Sequence, residues 1–228
     1  PSHTYGVASA WEAMRLTAPG DADTAPKACR PFAADRRGLV LGEGGAALVL
    51  EDWDHAVQRG ARIHAEMVGY GATCDHSHLV RPDAAGQVRA IRAALLEGGL
   101  APQDIGYINA HGTATAEGDP TEIAAIRSVF ADHASELPVS ATKSMHGHLL
   151  GAAGAIEAVV TVMSLRDRAI PPTAHLEGRL DPACEGVDHV FAGRRGVPLR
   201  AALSNSFAFG GSNAVLAFRR ADTDSNES

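Results

Sequence analysis

Ile105-Gly-Tyr-Ile-Asn-Ala-His-Gly-Thr-Ala-Thr-Ala-Glu-Gly-Asp-Pro-Thr-Glu122 holds a strand, a turn and a helix start in one short stretch. Ile105 to Ala110 is an apolar run of strand length. Asp119-Pro120 then places an acid at a helix cap and proline at the first helical position, with Glu122 three residues past the cap as in a capping box. Ile123, Ile126, Val129 and Phe130 follow at helical spacing. Upstream, Val88, Ile91 and Leu95 mark a helix over 84–96 that Gly98-Gly99 ends. Before it, Arg62 to Ala72 is a strand with Ile63, Ala65, Met67 and Gly69 on one face. Downstream, Leu137 to Ala141 is a strand, Leu149 to Leu165 a nearly all-apolar helix, and 202–209 with 213–218 two strands around Gly210-Gly211. Leu39 to Leu41 and Ala46 to Leu50 flank a glycine turn and are expected to pair as strands. Segment 18–37 is expected to be surface connection. Strands alternating with helices make this a layered α/β fold.

Composition narrows the function. Of the 228 residues 45% are hydrophobic and 21% charged, a globular balance, and 20 Lys and Arg against 27 Asp and Glu leave a net charge of −7. Scattered basic residues and this acidity argue against nucleic acid as a partner. No run approaches the roughly 20 apolar residues of a membrane span. Cys29, Cys74 and Cys184 are odd in number and lack CxxC spacing, which fits a reducing, cytoplasmic setting. The polar end, 221–228, is expected to be a disordered tail.

Two histidines sit at strand ends just before helices, where α/β proteins place their sites. His111 follows the strand at 105–110, and His148 closes Ser140-Ala-Thr-Lys-Ser-Met-His-Gly-His148. Each is either a hydrogen-bonded turn histidine or a site residue; Gly112 and Gly147 beside them allow close approach, and Thr113 and Thr115 put two hydroxyls on one side of an extended segment. His146-Gly-His148 and Cys74-Asp-His-Ser-His78 are rich in ligand types but match no common zinc spacing, so no metal is expected. None of the cysteines lies in a small-residue turn leading into a helix, so a catalytic sulfur would have to come from elsewhere. On spacing alone Lys143 is a surface cation or a partner for a buried carboxylate, Glu122 the reciprocal residue of its capping box, and Phe207 and Phe209 core residues.

Three motifs change that weighing. Asn109-Ala-His-Gly-Thr-Ala-Thr-Ala-Glu-Gly-Asp119 with Glu122, Ala141-Thr-Lys-Ser-Met-His-Gly-His-Leu-Leu-Gly-Ala-Ala-Gly-Ala-Ile-Glu157, and Asn205-Ser-Phe-Ala-Phe-Gly-Gly-Ser-Asn213 together resemble the C-terminal half of the elongating type II β-ketoacyl-acyl carrier protein synthases, including their nodulation and polyketide relatives. Arg30-Pro-Phe and Gly38-Leu-Val-Leu-Gly-Glu-Gly44 also look like that family. The resemblance implies a thiolase-like fold, layered α-β-α-β-α in the complete enzyme, with residues 1–50 ending the N-terminal half and 51–220 forming the C-terminal half. It implies decarboxylative condensation of malonyl-carrier protein with an enzyme-bound acyl thioester in fatty acid or polyketide synthesis. His111 and His148 would act on the malonyl unit, Lys143 would pair with Glu122 and orient the site, Thr113 and Thr115 would hold the phosphopantetheine arm, and Phe209, with Phe207 near it, would gate the site. No cofactor is expected, because the arm arrives on the carrier protein. The expected partners are that carrier protein and a second ketosynthase-like chain, as homodimer or heterodimer. The family's nucleophilic cysteine lies in the N-terminal half, so the chain is expected to be a piece of a longer protein and inactive alone. The competing reading is a non-catalytic partner subunit akin to a chain-length factor, against which the two histidines, Lys143 and the Thr pair argue. His146 stands where many relatives carry Thr, and Ala208 where many carry Gly.

Overall fold

The computed structural model describes residues 4–176 and 178–221. Its helices are α1 (Tyr5–Ala13), α2 (Trp53–Gln58), α3 (Ala84–Glu97), α4 (Gly118–Phe130), α5 (Lys143–His146) and α6 (Ala153–Asp167). Its strands are β1 (Ala65–Cys74), β2 (Ile105–Asn109), β3 (Pro138–Ser140), β4 (Ala169–Ile170), β5 (Asp188–His189), β6 (Arg194–Arg195), β7 (Ala201–Ala208) and β8 (Ser212–Arg220). Six strands form one sheet in the order β1-β8-β7-β2-β3-β5, and β4 pairs with β6 separately. The β1-β8-β7 half is antiparallel, and β7-β2-β3-β5 is parallel. The parallel half is where α/β proteins need crossover helices, and α4 makes the crossover from β2 to β3.

Side-chain alternation divides the core between the two faces of the sheet. Leu203, Val215 and Ala217 join α3 and α4 through Ile91, Ile123 and Ile126, while Ala202 and Phe218 join α6 through Ala158 and Leu165. α6 buries Ala158 and Leu165 against the sheet, while Val159, Val160 and Val162 are only partly covered and Met163 is exposed. β1 approaches α3 so closely that a Cβ on Gly71 would meet the backbone carbonyl of Ala90.

Three local expectations change. Ile63, Ala65, Met67 and Gly69 do not share a face, because the β1–β8 register shifts between Met67 and Gly69 and turns Met67 outward while Gly69 and Gly71 face α3. Residues 46–50 are not a strand. A run of apolar residues becomes one only where another backbone offers its hydrogen bonds, and among the described residues none pairs with 46–50; Val49 is 94% exposed. Leu39 and Leu41 do pair, but singly, with Thr17 and His148. Segment 18–37 is surface only in part, because Ala28, Cys29, Phe32 and Ala33 are buried. The expected tail beyond Ala221 lies outside the described residues.

Candidate active site

β2 delivers His111 to the carboxyl end of the parallel strands, and a turn at Gly112 (φ +36°) swings the chain toward α4. A Cβ at Gly112 would crowd Phe32 and Pro31, so both the backbone angle and the space call for glycine. The loop that follows is held from α4 by two carboxylates. Glu122 accepts the backbone N–H groups of His111 and Gly112, each at 2.8 Å, and the Asn205 side-chain amide at 3.1 Å. Asp119 accepts those of Thr113 and Ala114 at 3.1 Å and of Phe32 at 2.7 Å. The expected capping box therefore does not form; both acids turn away from their own helix to fix the loop before it. Arg36 completes the clamp, donating to the carbonyls of Thr115 at 3.0 Å and Ala116 at 3.1 Å. Burial pushes Asp119 up to about 7 and raises Glu122, against the pull of the amides that bind them.

His148 arrives from the other side. Gly147 (φ 72°) ends α5, and the His148 backbone is pinned to the 40–42 segment, its N–H donating to Val40 O at 2.7 Å while its carbonyl accepts from Gly42 at 3.0 Å. The two imidazoles meet edge to face, centroids 5.4 Å apart and planes at 84°.

Each ring has one nitrogen occupied. His148 Nδ1 accepts the Leu150 N–H at 3.2 Å, and His111 Nδ1 lies 3.2 Å from the Lys143 ammonium, which also donates to the His111 carbonyl at 2.6 Å. With Nδ1 accepting, the neutral ring carries its proton on Nε2. Both rings are held neutral. Burial drives His111 well below the ordinary histidine value, helped by Lys143 and then His148, and it takes His148 down to about 3, helped by Lys143 and His146.

Lys143 is fully buried, and its carboxylate partner is Glu157, not Glu122. This corrects the expected pairing: Glu122 is spent on backbone amides and Asn205, whereas Glu157 on α6 makes the direct ion pair. Burial pushes Glu157 up to about 7, with Lys143 pulling the other way. Sequence reasoning passed over Glu157, although it is the only charged residue within Leu149 to Leu165, and a lone acid in an apolar helix has to find a cation.

Thr113 and Thr115 place their hydroxyls 3.0 Å apart, on the wall of a cleft of about 1020 Å³ that both histidines also line. Phe207 lies under His111, ring centroids 6.1 Å apart, and is buried. Phe209 stands at the mouth, half exposed, stacked on Trp11 at 5.7 Å. His146 does not line this cleft; its Nδ1–H donates to the Gly147 carbonyl at 2.8 Å. None of Cys29, Cys74 and Cys184 lines this cleft; burial pushes the Cys29 and Cys184 thiols up to about 12, and Cys74 is exposed on β1. Among the described residues no group of three or more His, Cys, Asp or Glu could hold a metal ion.

Residues 64–177 match the family described as β-ketoacyl synthase, C-terminal domain. The chain belongs to the β-ketoacyl synthase family. It is 50% identical to nodulation protein E of Rhizobium sp. (strain N33) over 216 residues, covering 95% of this chain and 52% of that protein. Identity is also 50% with 3-oxoacyl-[acyl-carrier-protein] synthase 2 of Synechocystis sp. (strain ATCC 27184 / PCC 6803 / Kazusa), over 195 residues, 85% of this chain and 46% of that protein. Among solved structures, the β-ketoacyl synthase of Burkholderia phymatum STM815 superposes with a TM-score of 0.90 at 39% identity, covering 96% of this chain and 53% of that one. This synthase chain thus has the thiolase-like fold, and it spans about half the length of the curated relatives it matches. No described helix is long and apolar enough to cross a membrane.

Proposed function

We propose that this chain supplies the malonyl-activating half of a 3-oxoacyl-carrier protein synthase. The observation that carries the proposal is the convergence of His111 and His148 with both Nδ1 atoms occupied, which leaves each ring an Nε2–H donor beside a cleft that both residues line. An acyl group waits as a thioester on a cysteine from outside the described residues. Malonyl-carrier protein enters with its arm along Thr113 and Thr115. Its C2–carboxylate bond breaks, CO2 leaves, and the electron pair forms an enolate whose charge builds on the thioester oxygen. Two neutral N–H donors held in place stabilise that oxygen without a proton having to move, and removal of one such donor costs about 3–4 kcal/mol. The enolate carbon then attacks the acyl carbonyl, and the cysteine thiolate leaves.

Lys143 acts as a positioning residue. Its ammonium fixes the His111 tautomer, adds positive potential near the enolate, and is itself neutralised by Glu157. Phe209 guards the mouth, with the carrier protein docking outside it. A second ketosynthase-like chain as homodimer or heterodimer partner belongs to the same reading. Intact His111, His148, Lys143 and Thr hydroxyls favour the enzyme over a non-catalytic chain-length-factor role.

The protein that contains this chain, given an acyl donor and malonyl-carrier protein, is expected to release CO2 and form 3-oxoacyl-carrier protein in equal amounts. Mass spectrometry of the carrier protein alongside trapped CO2 measures both. An acylated protein that releases no CO2 would overturn the proposal.

A further inference from the structure

Gln87 stands on the first turns of α3 and is 1% exposed, yet its Oε1 has no hydrogen-bond partner. Polar side chains that line the cleft of the two histidines are already paired. Thr73 donates its hydroxyl to the Gly86 carbonyl at 2.8 Å, Asn213 donates to Asp75 Oδ1 at 2.6 Å, and Asp75 Oδ2 accepts the Asp83 N–H at 2.9 Å. An unpaired buried carboxamide weakens a fold, and an apolar side chain of the same length would fill the space without that cost. Gln87 also lines the cleft that holds the two histidines, Thr113 and Thr115. A ligand that brings a donor to the cleft lined by this side chain would satisfy the unpaired oxygen.

We infer that Gln87 is a binding residue of this cleft, its carboxamide pairing with an amide of the arm that enters beside Thr113 and Thr115. An amide carries one N–H donor and one carbonyl acceptor, the complement of a carboxamide, and the phosphopantetheine arm contains two. The inference rests on the ketosynthase reading for the identity of that arm. Pairing of this kind selects the arm itself, whatever acyl group it bears, because ligands lacking the amide leave the buried oxygen unpaired.

The test is binding, so that it does not depend on turnover. The probes are S-methyl-pantetheine, which has both amides and cannot react, and an alkyl methyl sulfide of similar length without amides. In the protein that contains this chain, Gln87→Met is expected to weaken S-methyl-pantetheine binding about tenfold by calorimetry, leave the alkyl sulfide unchanged, and melt no lower than the parent. An unchanged affinity for S-methyl-pantetheine overturns the inference, as does equal weakening of both probes. So does a variant that melts lower or fails to fold, since the carboxamide would then be serving the packing of α3. Release of CO2 from malonyl-pantetheine by the parent protein, scored separately, tests the ketosynthase reading and not the role of Gln87.

Discussion

His111→Ala or His148→Ala, in the protein that contains this chain, is expected to cut CO2 release from malonyl-carrier protein by about 10²–10³-fold, the cost of one lost oxyanion donor. Acylation of the nucleophilic cysteine is expected to continue, because that step leaves the malonyl unit untouched. The two replacements are not equivalent in their side effects. His148 is tied to the 40–42 backbone mainly through its own main chain, which alanine keeps. Removing the His111 ring deprives the Lys143 ammonium of one acceptor while leaving it the His111 carbonyl and Glu157. Trapped CO2 and the mass of the acylated protein, read on the same samples, separate the half-reactions. Undiminished CO2 release from either variant would refute the roles assigned to the pair.

Lys143→Ala is expected to be the most destabilising single change in the site. It strands the fully buried Glu157 carboxyl without its cation, and breaking a buried pair from one side costs about 3–5 kcal/mol. It also frees His111 Nδ1, so the ring can place its proton on the wrong nitrogen. Stability and activity are separable through the double replacement Lys143→Met with Glu157→Leu. Apolar side chains of similar volume in place of a buried ion pair restore most of the folding free energy, while decarboxylation stays depressed because nothing holds the His111 tautomer. Urea unfolding and CO2 release measure the two effects. A Lys143→Ala protein that unfolds at the parental urea concentration would contradict the buried pairing. A double variant with full activity would contradict the positioning role.

Much of the architecture was legible because its elements are periodic and clearly punctuated. The helix over 84–96, ended at Gly98-Gly99, and the strands at 105–110 and 202–209 needed only spacing and turn residues. What escaped depended on neighbours in space. The outward turn of Met67 follows from a register shift against β8, and residues 46–50 lack a partner strand among the described residues, which no property of the run itself reveals. The site divides the same way. His111, His148, Thr113 and Thr115 were legible as strand-end and loop residues and do gather at one cleft. The choice of Glu157 over Glu122 as the partner of Lys143 was not, because both lie on helices and only the packing of α6 against the sheet decides which acid reaches the ammonium. Asp119 and Glu122 followed every local rule for a capping box and were instead recruited to a loop whose unpaired buried amides had greater need of them.

Nitrogen NMR of labelled histidine, recorded from pH 8 to pH 5 and assigned with the two alanine variants, tests the central claim most directly. Burial disfavours the imidazolium, so both rings titrate below the ordinary value near ~6.5, His148 at about 3. Both are therefore expected to keep a protonated Nε2 and a bare, hydrogen-bonded Nδ1 across the whole range. A ring that takes up a proton with a midpoint near ~6.5, or that carries its proton on Nδ1, would contradict the account of two neutral donors aimed at one enolate oxygen.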